Sequence, residues 1–382
     1  MGHIQTDLVE KGHQVAAGLP EEPRAAAMNG DMRALSAAAL DARALFRQMA
    51  RIRHFEQAIG ELWHKGLICG EMHLGIGEEA IAAGVVAHLR DGDGLAVDHR
   101  STPPFVARGV DLEAMVLEML GSEDGLCRGH GGHMHLFSTE HLAASSGIVG
   151  AGAPLACGFA LAAQHLQPGA VAVGFFGDGA MNQGMLLEAF NLAQAWRLPA
   201  VFVCKDNRWA ITTRSRTVTG GDLASRARAF GMPARRVDGH DVRAVFRATG
   251  ELVERARRGR GPGFLLARCA RTEGHFLGDP VLRMVDAPLQ EGRELSGPLL
   301  EAIRAQPGAS GRSRAAALAQ VGGVLAATAV ERRLRRRDAL KRARRLLPGA
   351  DATRIEQEAI AEVKAALARA LGRMRREGPG SA

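Results

Sequence analysis

Two polar loops, each following an apolar run, contain the residues best suited to chemistry in this chain. The run at 170–176 leads into Gly177-Asp178-Gly179, and the run at 200–204 leads into a stretch that contains Asn207. Because a helical pattern separates the two runs, they are typical of neighbouring strands in a parallel sheet covered on both faces. Ligands bind beyond the carboxyl ends of such strands. Glycines there let the backbone approach a phosphate, and a following helix offers unpaired amides.

The oxygen-bearing side chains in these loops favour a magnesium ion beside that phosphate. Asp178 and Asn207 would come from adjacent strand ends, and magnesium uses few protein oxygens together with phosphate oxygens. A lone Gly-Asp-Gly also occurs in ordinary loops, so two ordinary turns are the alternative. The dinucleotide motif GxGxxG is excluded, since neither GFFGDG nor GIVGAG has its spacing.

The surrounding pattern predicts an α/β fold with a doubly wound parallel sheet and helices on both faces. Apolar residues recur at helical spacing in five segments of the core, and continuous apolar runs predict its strands. The helical segments are 44–63, 78–89, 154–165, 185–196 and 242–258, and the strands are 170–176, 200–204 and 264–269. Beyond the core, residues 352–371 have an apolar stripe at helical spacing.

Four segments are predicted along the chain. Residues 1–40 form a flexible arm and residues 41–282 form the ligand-binding domain. Residues 283–330, in which glycine and proline interrupt weak helices, form a linker or insertion, and residues 331–382 form a basic helical segment.

Composition narrows the function classes. The net charge of +8 is concentrated in residues 311–382, which hold 17 Lys+Arg against 7 Asp+Glu. The basic stretch at 331–345 lacks interleaved aromatic residues, which favours a solvated or subunit-facing helix over a nucleic-acid site. Five scattered cysteines favour reduced buried thiols over disulfides or zinc. No apolar run was found that approaches a membrane span, and no signal peptide, so we expect a cytoplasmic protein.

Residues 45–280 resemble the alpha subunits of the thiamin-diphosphate-dependent, decarboxylating first component of 2-oxo acid dehydrogenase complexes. The pyruvate, branched-chain and acetoin dehydrogenase alpha subunits are the close members. The motifs that carry the resemblance are HLGIGEEA (73–80), HR (99–100), GHGGHMH (129–135), GIVGAGAPLACGFALA (147–162), GDGAMNQG (177–184), CKDNRWAIT (204–212), GMP and VDGHDV (231–242) and GHFLGDP (274–280).

The resemblance implies a metal and diphosphate site. Asp178 and Asn207 match magnesium ligands, and the main-chain carbonyl of Trp209 matches the third ligand that the protein supplies. Arg100 matches an arginine that holds the diphosphate, although a surface arginine is the alternative. Lys205 stands where branched-chain relatives place a diphosphate-binding arginine.

The resemblance also implies contacts with the rest of the cofactor. Gly147 and Val149 match backbone positions around the aminopyrimidine, and His275 matches a histidine beside the thiazolium carbon, which we interpret as a proton-transfer group. A histidine that merely satisfies a backbone carbonyl is the alternative. The GHGGHMH histidines invite a metal hypothesis, but the resemblance implies a structured loop over the cofactor.

The implied function is the alpha subunit of an alpha2–beta2 enzyme that acts on a small 2-oxo acid or acetoin. The beta subunit would supply the activating glutamate, and the acyl group would pass to a lipoyl-bearing acyltransferase. The segment Ser101-Thr102-Pro103-Pro104 departs from the histidine-glycine stretch of the family. That departure fits one alternative, a biosynthetic relative that transfers a two-carbon unit to a carrier protein. A catalytically lapsed scaffold subunit is a second alternative, and the presence of Arg100, Asp178, Asn207 and His275 argues against it.

Overall fold

A mostly parallel seven-stranded sheet forms the centre of the chain. The computed structural model describes residues 41–305, 308, 310–334 and 338–377, so the predicted arm at 1–40 lies outside the described residues. The strands are β1 (Gly94–Val97), β2 (Phe137–Ser138), β3 (Ala143–Ser145), β4 (Ala172–Gly177), β5 (Ala200–Asp206), β6 (Trp209–Ala210), β7 (Thr213–Arg214), β8 (Ala234–Asp238) and β9 (Gly263–Arg268).

The strand order is β2-β3-β1-β4-β5-β9-β8, and every neighbouring pair is parallel except β2 with β3. Strands β6 and β7 form a separate antiparallel hairpin. Strands β1 and β5 are buried along their whole length, as is typical of parallel strands that helices cover on both faces.

Helices surround this sheet. They are α1 (Ala42–His64), α2 (Glu79–Val86), α3 (Thr102–Arg108), α4 (Leu112–Met119), α5 (Gly152–Leu166), α6 (Gly184–Ala195), α7 (Ser215–Val218), α8 (Leu223–Ala229), α9 (Val242–Arg257), α10 (Pro280–Asp286), α11 (Pro288–Ala305), α12 (Gly311–Leu334), α13 (Ala339–Arg344) and α14 (Gly349–Glu377), with a 3₁₀ turn at Asp178–Asn182.

Two apolar cores lie on opposite faces of the sheet. Alternate residues of one strand enter different cores, as Val173 and Ala172 of β4 do. Helices α1, α2 and α9 cover one face, and α5, α6 and α8 cover the other. The predicted doubly wound α/β sheet is therefore confirmed.

The last two helices pack against the first one rather than standing apart from the core. Helix α14 has a buried stripe at helical spacing that joins the core around α1: Ala352, Ile355, Ala359, Val363, Ala366 and Ala370. The basic helix α13 is anchored through Arg342, which lies 2.7 Å from Asp238 and 2.6 Å from Asp241. These ion pairs are partly exposed and stabilise little, so apolar burial dominates the docking.

Residues 283–330 are more helical than the glycines and prolines predict. Pro298 lies inside α11, and Gly322 and Gly323 lie inside the alanine-rich α12. The helix propensity of the neighbouring alanines offsets the cost of the glycines, which is about 1 kcal/mol each. Part of α12, Gly311–Val330, is also long and apolar enough for a membrane span, with a mean hydropathy of 1.2, and this differs from the expectation that no run approaches that length. Only 6% of this segment is buried, so it is not a buried core helix, and its length and composition alone connect it with a membrane span.

Candidate active site

The predicted cofactor residues meet at the carboxyl edge of the sheet. Arg100 follows β1, Asp178 follows β4, and Asn207 follows β5. Strands β1, β4 and β5 are parallel neighbours, so these three loops open on the same side. His275 belongs to the loop after β9, which pairs with β5.

Asp178 has the environment expected of a cation ligand. Its side chain is buried, the hydroxyl of Ser215 donates to Oδ2, and Oδ1 has no hydrogen-bond partner among the described residues. Burial raises the pKa of Asp178 to about 7, against the opposing effect of the Ser215 hydrogen bond. A buried carboxylate oxygen without a partner is costly, and a bound cation would remove that cost. The residues present therefore fit a magnesium ion.

Asn207 and Trp209 lead into and begin the β6–β7 hairpin, and β6 packs against the 3₁₀ turn that starts at Asp178. The Trp209 amide donates to Oδ1 of Asn207 at 3.0 Å, which leaves this oxygen a second lone pair. A Cβ atom at Gly179 would lie 2.9 Å from the Cβ of Ala210, so glycine is needed there for packing against the hairpin. Nothing lies within 4 Å of a Cβ built at Gly177.

Arg100 is buried, which excludes the alternative of a surface arginine. Its Nη1 donates to the carbonyl of Leu74 at 2.6 Å and its Nη2 to the carbonyl of His275 at 2.8 Å. The side chain thus ties the loop after β9 to the HLGIGEEA segment. Its positive charge also lies next to the ring of His275, whose Nδ1 is 3.5 Å from Nη2.

Lys205 lies in a buried ion-pair cluster. Its Nζ is 2.8 Å from Glu78 Oε2 and 2.9 Å from Asp98 Oδ1. Burial alone would lower the pKa of Lys205, but Asp98 and Glu78 raise it above its usual value. Two of the three donors of the ammonium therefore have carboxylate partners in this structure. Its diphosphate-binding role stays a prediction.

Four histidines gather around Arg100. The ligand nitrogens of His73, His99 and His275 lie within 4.8 Å of one another, and His133 Nε2 is 3.1 Å from His73 Nδ1. Burial is the main cause that lowers the pKa of each ring, and the charge of Arg100 lowers it further, to about 2 for His73, about 3 for His99 and about 4 for both His133 and His275. All four are therefore neutral near pH 7. For His275 this differs from the expected value of ~6.5, because the ring is buried beside Arg100 and Arg271.

The GHGGHMH loop reaches this cluster through only one of its histidines. His133 is buried against His73. His135 instead lies beside Gly147, since its Nε2 would be 3.1 Å from a Cβ atom built there. The converging nitrogens thus belong to distant segments rather than to the loop itself. In the loop after β3, Val149 is 50% exposed and Ile148 is 62% exposed. The aminopyrimidine contacts of Gly147 and Val149 stay predictions.

Comparison with known proteins decides the family. The model of the family described as "Dehydrogenase E1 component" matches residues 47–288. The chain belongs to this family. Relatives named as the alpha subunit of acetoin:2,6-dichlorophenolindophenol oxidoreductase, from Bacillus subtilis and Cupriavidus necator, are each 44% identical over 62% of this chain and 71% of theirs. The pyruvate dehydrogenase E1 component subunit alpha of Rhizobium meliloti is 38% identical over 68% of this chain and 75% of its own.

The family assignment confirms the resemblance identified from the motifs. It also confirms the predicted enzyme class, a thiamin-diphosphate-dependent dehydrogenase alpha subunit of the E1 type. Helices α12, α13 and α14 lie beyond the matched residues. The contact of α14 with α1 therefore joins a segment outside the E1 match to one inside it.

Several residues of this candidate site were not singled out from the sequence. Ser215, which contacts Asp178, lies at the start of α7, and Glu78 and Asp98 hold Lys205. His73 and His99 belong to motifs that carry the resemblance, yet no role was assigned to them. For Glu78 the available signal was an acidic residue among the apolar residues and glycines of HLGIGEEA, since charged residues are rarely buried without a partner.

Glu56 of α1 connects two segments next to the candidate site, HLGIGEEA and Ser101-Thr102-Pro103-Pro104. Its carboxylate accepts a hydrogen bond from the Gly75 amide at 2.5 Å and another from the Thr102 hydroxyl. A Cβ atom at Gly75 would lie 2.3 Å from Pro103 Cγ, so Ser101-Thr102-Pro103-Pro104 packs closely against HLGIGEEA. Burial raises the pKa of Glu56 to about 7, despite the opposing hydrogen bonds.

We expect Glu56→Gln to remove a pH dependence of stability. Since the folded pKa lies above the unfolded value near 4.5, the contribution of Glu56 is fully present below pH 4.5 and is lost as pH rises through 7. The loss amounts to about 3 kcal/mol at 1.36 kcal/mol per pKa unit. Unfolding of both proteins by urea between pH 5 and pH 8 measures it, with the exposed Glu61→Gln on the same helix as control. Parallel pH profiles for Glu56→Gln and the unsubstituted protein would contradict this expectation.

Proposed function

We propose that this chain binds thiamin diphosphate with Mg²⁺ and, with a beta subunit, oxidatively cleaves a small 2-oxo acid or acetoin. The observation that carries the proposal is the buried Asp178 carboxylate, whose Oδ1 lacks a partner at the strand edge it shares with Asn207. The names of the relatives support both substrate classes, since they include acetoin and pyruvate enzymes. The acyl product would pass to a lipoyl group on a partner acyltransferase.

Each predicted site residue has a place in this proposal. Asp178, Asn207 and the carbonyl of Trp209 would hold the magnesium ion. Arg100, Lys205 and the backbone of Gly177 and Gly179 would contact the diphosphate, a role for which two cations at a sheet edge are suited. The backbone at Gly147 and Val149 would bind the aminopyrimidine. When bound, thiamin diphosphate supplies the carbanion chemistry.

His275 would move a proton at the reacting end of the site. Its amide donates to Asp279 Oδ2 at 2.8 Å and its carbonyl accepts from Arg100, so the backbone on both sides of the ring is held. Such positioning is what a proton-transfer group needs, because geometry decides its efficiency before its pKa does. The neutral ring can accept a proton through an unprotonated nitrogen.

The beta subunit is proposed to complete the site in an alpha2–beta2 assembly. The relatives are named as alpha subunits, which implies a second kind of subunit in those enzymes. Ile148 and Val149 are exposed apolar residues on the loop after β3, as is Met185 at the start of α6. Apolar residues grouped near a site are typical of a protein interface. The buried Glu78 at this edge is paired with Lys205, so it is a poor candidate for the activating glutamate.

The test is to assay this chain alone and after co-expression with an E1-type beta subunit from the same genome. We expect no dehydrogenase activity from the chain alone, and activity with pyruvate, other small 2-oxo acids or acetoin only from the assembly. Supplying a lipoyl domain or a carrier protein as acceptor separates the dehydrogenase from the biosynthetic alternative. Decarboxylation by the isolated chain at the rate of the assembly would contradict the two-subunit proposal. An assembly that binds the cofactor but converts none of these substrates would favour the scaffold alternative.

We also propose a cytoplasmic location, in which α12 does not cross a membrane. Helix α12 is the one described helix with the length and composition of a membrane span, and its Gly311–Val330 segment has charged residues at one end, Arg312 and Arg314. Fractionation of cells that express the full chain would test this, because a span in α12 would place the protein with the membranes.

A further inference from the structure

Glu118, near the end of α4, carries a buried carboxylate that lies inside a backbone loop. The side chain is fully buried and, among the described residues, has no cationic partner. Its two oxygens accept four hydrogen bonds from backbone amides of the glycine-rich loop: Cys127 at 2.6 Å, Gly129 at 2.9 Å, Gly131 at 2.6 Å and Gly132 at 3.2 Å. Four amide donors satisfy a buried carboxylate without a counter-ion.

The backbone of the glycine-rich loop packs closely around Glu118. Gly129 has a φ of 75°, and a Cβ atom there would lie 2.4 Å from the carbonyl carbon of Gly121. A Cβ at Gly125 would lie 2.5 Å from Cα of Glu118 itself. Residues 120–135 contain no helix or strand, so the amides held by Glu118 have no regular ladder to hold them instead.

This loop delivers His133 to the candidate active site. His133 Nε2 accepts a hydrogen bond from the His73 amide at 3.2 Å, and the His133 carbonyl accepts one from the Ser101 hydroxyl at 2.7 Å. His73 in turn lies 4.9 Å from His275 between ring centroids, and Ser101 is the neighbour of Arg100. A continuous set of contacts therefore runs from Glu118 to the cofactor-facing residues.

We propose that Glu118 is a positioning residue for the active site. It holds the glycine-rich loop in one conformation and thereby keeps His133 against His73. The consequence for catalysis rests on the proposed function, whereas the consequence for the loop does not. Replacement of Glu118 by glutamine would place the donating NH₂ group of the side chain against backbone N–H groups. Two donors cannot form a hydrogen bond with each other, so these contacts would be lost.

The experiment compares hydrogen–deuterium exchange of the alpha–beta assembly and of its Glu118→Gln variant. We expect exchange at 127–132, and also at the His73 amide, to become ~10-fold faster or more, because charge-assisted hydrogen bonds are lost. The kcat should fall ~10- to 100-fold with little change in KM, since misplaced groups act mainly on the chemical step. Glu113→Gln is the matched control, because Glu113 lies on the same helix but pairs with Arg369 and Arg373. It should leave both segments and kcat unchanged.

Unchanged exchange at either segment would overturn the proposal, and so would faster exchange with an unchanged kcat. If Glu118→Gln does not fold, Glu118→Asp keeps the charge but shortens the side chain, and it should accelerate exchange at both segments to a smaller extent. If the unsubstituted assembly shows no dehydrogenase activity, the proposed function fails. Exchange at the His73 amide then still decides whether Glu118 places His133.

Discussion

Asp178→Ala is expected to abolish magnesium-dependent binding of thiamin diphosphate by the alpha–beta enzyme. The carboxylate is buried, and its Oδ1 has no partner in the described part of the chain, so a cation ligand is its best-supported role. Removal even of outer-shell partners of a metal ligand costs ~10- to 100-fold in affinity, and loss of the ligand itself should exceed ~100-fold. Titration calorimetry with thiamin diphosphate and Mg²⁺ measures the effect directly.

Two further variants separate loss of the metal from loss of the fold. Asp178→Asn keeps the size of the side chain and an acceptor for the Ser215 hydroxyl, and it should still bind the cofactor weakly because the charge is gone. Glu188→Ala removes an exposed carboxylate from α6, the helix that follows the same loop, and should bind normally. Asp178→Ala with unchanged cofactor affinity would rule out the metal assignment.

His275→Ala is expected to leave cofactor affinity intact while acyl transfer to a lipoyl domain falls by ~100-fold or more. Transfer to a lipoyl disulfide requires a proton for the departing thiolate, and the neutral ring beside Arg100 must gain one first. Burial, and then the charges of Arg100 and Arg271, lower the pKa of His275 to about 4. An anion bound beside these arginines would offset their charge and raise that pKa, which is the change a proton donor needs.

Single-turnover transfer to a lipoyl domain and calorimetric cofactor binding together measure this effect. His165→Ala, at the exposed end of α5, is the matched control and should change neither quantity. Full transfer activity in His275→Ala would contradict the role assigned to the ring. Loss of cofactor binding in that variant would instead make His275 part of the binding site alone.

The elements of the sheet were largely predictable because their local patterns are strong. Continuous apolar runs predicted β4, β5 and β9 to within a few residues, since buried parallel strands have no polar face. Strand β8, Ala234–Asp238, was missed because it lies at the sheet edge, where only Ala234 is buried and the two consecutive arginines are exposed. Exposure hides a strand from a hydrophobic pattern.

The sequence by itself determined which loops meet at the candidate site. Gly177-Asp178-Gly179 and Asn207 follow adjacent apolar runs, and the geometry of parallel strands then requires them to meet at one edge. It also determined the apolar stripe of α14, although the helix α1 on which that stripe packs could not be identified. Periodicity reports that a face is buried and carries no information about its partner.

The tertiary structure alone decided the electrostatic partners. Lys205 meets Glu78 and Asp98, which lie more than a hundred residues earlier, and His73 meets His133 and His275 from two other loops. Segments that are far apart in the chain must converge before any of these pairs exists. The same convergence buries the histidines beside Arg100 and lowers the pKa of His275 below the value expected for an isolated ring. Desolvation and neighbouring charge depend on the assembled site, so residue type and spacing could not predict them.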